Sequence, residues 1–267
     1  MKVILLDAMN LIHRARSGWV KGPHALTFNF FRNLKPILER FEADLAYFVL
    51  EGRPAHRIEL LPEYKATRKK QPDSFWTQKD EILSILSMLP IIQTRHPKHE
   101  CDDVIANLAK KHLEKGHDVT IVSNDTDFIQ LFDVFQHSCF HIWNPRKKAF
   151  VERPDYNYLD WKSLRGDSSD NIPGIKGVGD KTAEKLLANP QVLSEFLLRS
   201  NNQEIFQRNK RLIGFQWFSN LSSLETATPE VCMESVKKAF NDRGFESMVK
   251  ETYWKKFEQS FNTLMGI

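Results

Sequence analysis

Several short apolar runs in this sequence finish at a carboxylate. Val3 to Leu6 ends at Asp7, Leu45 to Leu50 ends at Glu51, and Val119 to Val122 leads through Ser123 and Asn124 to Asp125 and Asp127. Two more acidic groups follow, Glu100-Cys101-Asp102-Asp103 and the Asp167/Asp170 pair of RGDSSDN. A single Asp after a strand is ordinarily a turn residue or a helix cap. The Glu100 to Asp103 group alone makes a good helix start, because acids favour the positive end of the helix dipole. Several such groups at one edge call for more. Crowded carboxylates repel and raise each other's pKa values, and divalent cations remove that penalty. Oxygen donors without a His or Cys cluster point to magnesium or manganese rather than zinc.

The elements that would position these acids are short, continuous apolar runs separated by helical patterns, as expected of buried parallel strands in an α/β sheet. One helix is predicted from about Asp102 to Glu114, with Val104, Ile105, Leu108, Ala109 and Leu113 on its apolar face and Gly116 just beyond it. Ligands of open α/β sheets bind at the carboxyl ends of the strands, so the acids are expected to gather in one crevice. The i, i+3 spacing of Asp167 and Asp170 turns both one way if a helical turn forms there.

Just downstream lies Gly174 to Thr182, GIKGVGDKT. A nucleotide-binding loop needs lysine directly after its second glycine. Asp180 stands there and would repel phosphates, which argues against a nucleotide hydrolase. Read onward to Leu187, the stretch is a glycine turn, a capping Asp180 and a helix carrying Ala183, Leu186 and Leu187 on one face. Glycines let a backbone approach a phosphate closely, and the helix start offers free N–H groups. The pattern fits a helix-hairpin-helix gripping a nucleic-acid backbone, with Lys176, Lys181 and Lys185 adding charge. A plain packing corner with solvated lysines is the competing reading.

The whole chain is compatible with this. Its 267 residues suit one large domain or two modest ones, and a net charge of +4 with pI near 8.8 permits nucleic-acid binding without demanding it. Cys101, Cys139 and Cys232 lack metal-ligand spacing and read as reduced thiols of a cytoplasmic protein. The apolar start is too short for a signal peptide, and no run approaches the roughly 20 residues of a membrane span.

Five segments together, LLDAMNLIHR, LPEYKATR, HECDDVIANLA, VSNDTDFIQL and GDSSDNIPGIKGVGDKTAEKLL, resemble the 5′ nuclease family, the flap endonucleases and 5′–3′ exonucleases of phages and bacterial polymerases. The resemblance spans the chain to about Leu187 and thins beyond residue 200. It implies a PIN-like, mostly parallel sheet flanked by helices over 1–160, with a helical arch at about 63–90. A smaller helical DNA-binding domain over 161–267 would hold the helix-hairpin-helix at about 167–188.

The resemblance also assigns roles. Asp7, Glu51, Glu100 and Asp102, with Asp103 alongside, would hold one Mg2+ ion, and Asp125, Asp127, Asp167 and Asp170 a second, with Mn2+ able to substitute and K+ at the helix-hairpin-helix. Glu51 stands where most relatives carry Asp, which implies an outer-sphere ligand, and Cys101 replaces the usual alanine. Lys65 and Arg68 would hold the scissile phosphate from one helix face. Tyr64 would stack on a base, Arg14 would touch phosphate, and Gly174, Lys176, Gly177, Gly179 and Lys181 would grip the backbone. The implied activity is cleavage of branched or 5′-ended DNA and of RNA–DNA hybrids by a monomer, for primer or flap removal, with replication proteins such as single-strand binding protein as partners. A PIN-type ribonuclease and a non-catalytic DNA-structure-binding protein are the rivals. Farther on, Arg199, Arg208, Lys210 and Arg211 are readable as a DNA contact or a solvated helix face. Phe240, Phe245, Trp254, Phe257 and Phe261 are expected to form the core of the second domain.

Overall fold

Strand β1 (Lys2–Asp7) buries Ile4 and Leu6 on one face and Val3 and Leu5 on the other, which is why its sequence is a continuous apolar run. It lies at the centre of a seven-stranded sheet in the computed structural model, which describes residues 1–18 and 20–264. From the amino end the elements are α1 (Ala8–Ala15), α2 (Ala25–Phe41), β2 (Leu45–Val49), α3 (Ala55–Leu60), α4 (Asp73–Leu86), β3 (Ile92–Arg95), α5 (Cys101–Glu114) and β4 (Asp118–Val122). A short 3-10 turn at Asp127–Gln130 leads to α6 (Leu131–Val134), β5 (Phe140–Asn144), β6 (Ala149–Phe150) and α7 (Tyr158–Arg165). The chain continues through β7 (Gly166–Asp167), β8 (Ile172–Pro173), α8 (Asp180–Leu187), α9 (Pro190–Leu197) and α10 (Asn202–Ile213). It ends with β9 (Glu225–Ala227), α11 (Met233–Asp242), α12 (Glu246–Val249) and α13 (Glu251–Gln259).

The sheet order is β6-β5-β4-β1-β2-β3-β9, with β1 to β5 parallel and both edge strands antiparallel. Chain order reverses at β1, whose neighbours are β4 and β2. A crevice therefore opens at the carboxyl ends of β1 and β4, where Asp7 and Asp125 stand. Helices α1, α2 and α4 cover one face, and α5 with the 3-10 turn covers the other. Among the described residues no helix is long and apolar enough to cross a membrane.

Two expectations change here. Helix α4 lies within the region assigned to an arch, yet it buries Phe75, Ile82, Ile85 and Leu86 in the core shared with α2. Only the turns at 61–72 stand apart from that packing, and they contain no helix. The carboxyl-terminal residues do not stay with a second domain either. Strand β9 pairs with β3 at the sheet edge. Phe240, Phe245, Trp254, Phe257 and Phe261 join the core that holds Phe30, Phe31 and Phe48. Helices α7 to α10 form their own smaller core around Leu164, Ile175, Ala183, Leu186 and Phe206.

One buried ion pair ties these helices to the sheet. Arg57 of α3 is 3% exposed and donates to both carboxylate oxygens of Asp103 at 2.6 and 2.8 Å. Its Nε donates to the carbonyl of Leu212, its Nη2 reaches that of Gly214, and Nη1 lies 3.0 Å from Glu100. Asp103 also accepts from the backbone N–H groups of Glu100 and Gln216. A guanidinium fork facing a carboxylate with its remaining lone pairs satisfied is the geometry in which burial of charge is tolerated.

Phe240→Ala should therefore destabilise the sheet itself by about 3–5 kcal/mol, read as a single shifted urea transition. A separate early transition that leaves the sheet untouched would contradict the shared core. Arg57→Met should cost about 3–5 kcal/mol by leaving Asp103 buried and unpaired, and adding Asp103→Leu should recover much of the loss. Equal stability of the single variant and the parent protein in the same titration would show that the clamp has no structural weight.

Candidate active site

Asp7 does two jobs at the end of β1. Its Oδ1 accepts from the N–H of Asn10, capping α1, and its Oδ2 accepts from the Ser123 hydroxyl at 2.7 Å. Burial pushes its carboxyl up to about 7, and the charges of Asp125 and Glu51 add to the effect. The start of α5 divides its acids by helix geometry. Glu100 and Asp103, three residues apart, form a reciprocal capping box, which turns Asp102 alone toward the crevice. Asp102 is raised well above the ordinary range, first by burial and then by Asp125, Asp7 and Glu51. Glu51 accepts from the N–H of Cys101 at 2.9 Å, so its carboxylate rests on the amino end of α5.

Asp127, on the 3-10 turn, is raised to about 7 by burial and by Asp125. Lys162 of α7 opposes that rise, pairing with Asp127 and lying 2.7 Å from Asp167. Burial would raise Asp167 too, but Lys162 and the Ser169 hydroxyl and N–H hold it below its usual value. The turn between Asp167 and Asp170, closed by a bond from the Asp170 N–H to the Asp167 carbonyl, forms the tip of a two-stranded ladder, β7 with β8, and does not turn both acids one way. Asp170 consequently parts from Asp167 and joins Glu100. Both accept from the Tyr64 hydroxyl, at 3.1 and 2.9 Å, and Lys65 pairs with Glu100 and lies 3.6 Å from Asp170.

Asp7, Glu51, Asp102, Asp125, Asp127, Asp167 and Asp170 all line one cavity of about 520 Å³, together with Arg14, Lys65, Arg68, Lys162 and Arg165. Seven carboxylates against five cations leave two negative charges in excess, and burial already drives three of the acids toward protonation. One donor atom each from Asp7, Cys101 and Asp102 lie within 4.8 Å of one another. Hard, oxygen-rich donors with surplus negative charge fit divalent magnesium or manganese. The thiol of Cys101, buried and raised well above its usual value, donates toward Asp102 at 3.2 Å and so sits against the same carboxylates.

Other predicted residues are placed differently. Asp103 faces Arg57, away from the cavity, and is closed to a metal ion. Glu100 lies behind the cavity wall, held by Arg57, Lys65 and Tyr64. Tyr64 is buried and engaged at its hydroxyl, so it presents no ring to a base. Lys65 and Arg68 do not share a helix face. Lys65 has a left-handed φ of 57°, and an Arg68 N–H to Lys65 carbonyl bond closes a turn that aims both side chains at Asp170. Arg14 lines the cavity with its Nη1 buried and without a hydrogen-bond partner among the described residues.

The glycine loop stands outside the cavity. Gly166 and Gly174 face each other so closely that a Cβ on either would meet the other's backbone under 3.0 Å, which packs the turn against the end of α7. Lys176, Gly177, Gly179 and Lys181 are exposed at the start of α8. Asp180 does not cap that helix. Gly179 is the cap, and Asp180 in the first turn pairs with Arg165, a cavity residue, at 2.7 Å. Arg208 and Lys210 are tied to Pro173 and Asp160, whereas Arg199 and Arg211 remain exposed. Arg57 and Lys162 escaped the sequence reading, because nothing in AHRIEL or LDWKSLR marks a buried cation.

Comparison with known proteins agrees with this geometry. The family described as "5'-3' exonuclease, N-terminal resolvase-like domain" matches residues 2–155, and "5'-3' exonuclease, C-terminal SAM fold" matches residues 153–235. The thermostable DNA polymerase I of Thermus aquaticus is 32% identical over 203 residues, covering 70% of this chain and 24% of that protein. DNA polymerase I of Streptococcus pneumoniae is 35% identical over 211 residues, again covering 70% and 24%. The chain thus spans about a quarter of the length of such relatives. In fold it is similar to the flap endonuclease of bacteriophage T5 in a complex with DNA and metal ions, with a TM-score of 0.61, 16% identity and coverage of 98% and 99%. The catalytic core of Rad2 with DNA substrate gives a TM-score of 0.57 at 16% identity, covering 98% and 90%. With acids gathered at a sheet switch point and family matches running from residue 2 to residue 235, the chain belongs to the 5′–3′ exonuclease family.

Proposed function

We propose that this chain is a metal-dependent 5′ nuclease that hydrolyses phosphodiester bonds of 5′-ended or branched DNA and of RNA–DNA hybrids. The observation that carries the reading is the single cavity lined by seven carboxylates at the carboxyl edge of the sheet. The family membership and the Lys65/Arg68 turn at the rim support it. Its biological place would be primer or flap removal in replication, as a monomer working beside proteins such as single-strand binding protein.

Asp7, Asp102 and Asp125, with Glu51 bound to the α5 amino end, would hold one Mg2+ or Mn2+ ion. Asp127 and Asp167 would be the donors for a second, and K+ would sit at the exposed glycine loop. Such ions supply a hydroxide from bound water at neutral pH and neutralise charge developing on the phosphate. The chain itself does the positioning. Ser123 and Asn10 fix the Asp7 carboxylate, and Lys162 keeps Asp167 ionised. Lys65 and Arg68 would offer a compact point charge and a planar fork to a phosphate, and Arg14 a guanidinium nitrogen without a partner among the described residues.

A labelled 5′-flap DNA incubated with magnesium should be cut near the flap junction, and EDTA should stop the reaction. Single-stranded RNA and flush duplex DNA run beside it separate this activity from that of a plain ribonuclease. DNA binding without cutting in every metal tried would overturn the enzymatic reading. Asp102→Asn and Asp125→Asn should each lower cleavage by more than about 100-fold, beyond the effect of outer-shell partners, while DNA affinity holds. Lys65→Ala should lower kcat under single-turnover conditions with little change in DNA affinity. A loss confined to affinity would remove Lys65 from the reacting phosphate.

A further inference from the structure

We propose that the tip of the β5–β6 hairpin, Arg146-Lys147-Lys148, is a second DNA-backbone site beside the catalytic cavity, an inference that rests on the nuclease reading above. Strand β5 runs parallel to β4 with Trp143 opposite Val122, so the chain leaves β5 at the same sheet edge from which Asp125 projects. It returns through β6, with Asn144 opposite Ala149 and Trp143 opposite Phe150. The tip therefore lies at the mouth of the crevice, and it carries three consecutive cations that are all exposed.

The tip is fixed to the cavity wall. The Arg146 N–H donates to Asn124 Oδ1 at 3.0 Å and to Asn144 Oδ1 at 3.0 Å, and Lys147 N–H donates to Asn144 Oδ1 at 2.9 Å. Asn124 lines the cavity, precedes Asp125 in the chain, and donates its own N–H to Asn10 Oδ1 at 3.0 Å. Arg146 is thus one side chain away from the catalytic carboxylates. Below the turn, Phe150 stacks edge-on against Trp143 with ring centres 5.0 Å apart, and Arg40 covers Trp143 at 3.9 Å. The backbone carrying the three charges is held in place without using their head groups.

Charge usage separates this tip from the paired cations of the cavity, Arg14 apart, whose Nη1 has no hydrogen-bond partner among the described residues. Lys65, Arg68, Lys162 and Arg165 are all paired with carboxylates. None of Arg146, Lys147 and Lys148 forms an ion pair among the described residues. Lys148 also occupies a left-handed backbone position, with φ of 54°, which turn geometry reserves for Gly or Asn. Glycine fits that conformation without strain, so Lys148→Gly removes the charge while leaving the turn intact. Three free cations on a rigid turn at the edge of a nuclease cavity match the polyanionic backbone that must run past it.

The test is equilibrium binding of fluorescein-labelled 5′-flap DNA in calcium, from about 50 to about 200 mM KCl. Arg146→Ala/Lys147→Ala/Lys148→Gly should weaken binding at least about tenfold at the lowest salt and reduce the slope of log K against log salt by about 2–3. Under magnesium the loss should fall on KM rather than kcat. Lys148→Gly alone should reduce the slope by about one while the thermal midpoint stays level or rises, which a purely structural turn would not do. If the parent protein binds and cuts while the triple variant keeps both affinity and slope, the hairpin does not touch DNA and the nuclease reading stands. If the parent protein neither binds nor cuts, the nuclease reading falls and this site with it.

Discussion

The dominant constraint on this molecule is the crowding of desolvated carboxylates at one end of a parallel sheet. An isolated buried carboxylate is costly enough that it neutralises or finds a partner. Here the acids come from β1, the β2 and β4 ends, α5, the 3-10 turn and the β7–β8 tip, so no single element can balance them. The protein recruits cations from outside the sheet: buried Arg57 from α3, half-buried Lys65 from the following turn and buried Lys162 from α7. Each links the sheet edge to another part of the chain, and apolar side chains, such as Phe215 against Phe128, also pack there. Electrostatic necessity and tertiary assembly share these contacts.

This explains how one acidic cluster can contain residues with opposite duties. In the run Glu100 to Asp103, the i, i+3 pair closes a capping box and turns inward, while Asp102, about 100° away on the helix, faces the crevice. In Asp167 to Asp170 the ladder tip directs one acid to Lys162 and the other to Tyr64, Lys65 and Arg68. Identical side chains a few residues apart differ because backbone geometry decides which of them meets a fixed cation. The depressed carboxyl of Asp167 and the raised one of Asp127 share the same lysine and differ first through the deeper burial of Asp127, then through Asp125 beside it and Ser169 beside Asp167.

That distinction also sets how far the sequence could be read. Strands β1, β2 and β4, helix α5 and the gathering of acids were all legible, because apolar runs buried on both faces and terminal carboxylates are local signals. Strands β3 and β5 carry shorter runs and passed unnoticed. Arg57 and Lys162 were not legible, since their burial is decided by partners 46 and 35 residues away in the chain. Tyr64 shows the same limit from the other side. An aromatic in a basic stretch suggests stacking, but its hydroxyl is taken up by two carboxylates from distant elements. The aromatic tail was legible as core, and the core it joins belongs to α2 and β2, elements far earlier in the chain, which no local signal announces.

Glu51 stands where the end of β2 meets the start of α5. Its extra methylene, compared with the Asp expected of the family, swings the carboxylate far enough to accept the first N–H of α5. That N–H belongs to the positive end of the helix, where an acidic side chain is favourably placed. The same hydrogen bond fixes the Cys101 backbone, and with it the direction in which Asp102 leaves the helix. A longer side chain at the end of β2 therefore supports the geometry of its neighbour as much as it offers a donor itself. On this view the residue at the end of β2 is matched to the start of α5, and the two would have to change together for a shorter acid to serve in its place.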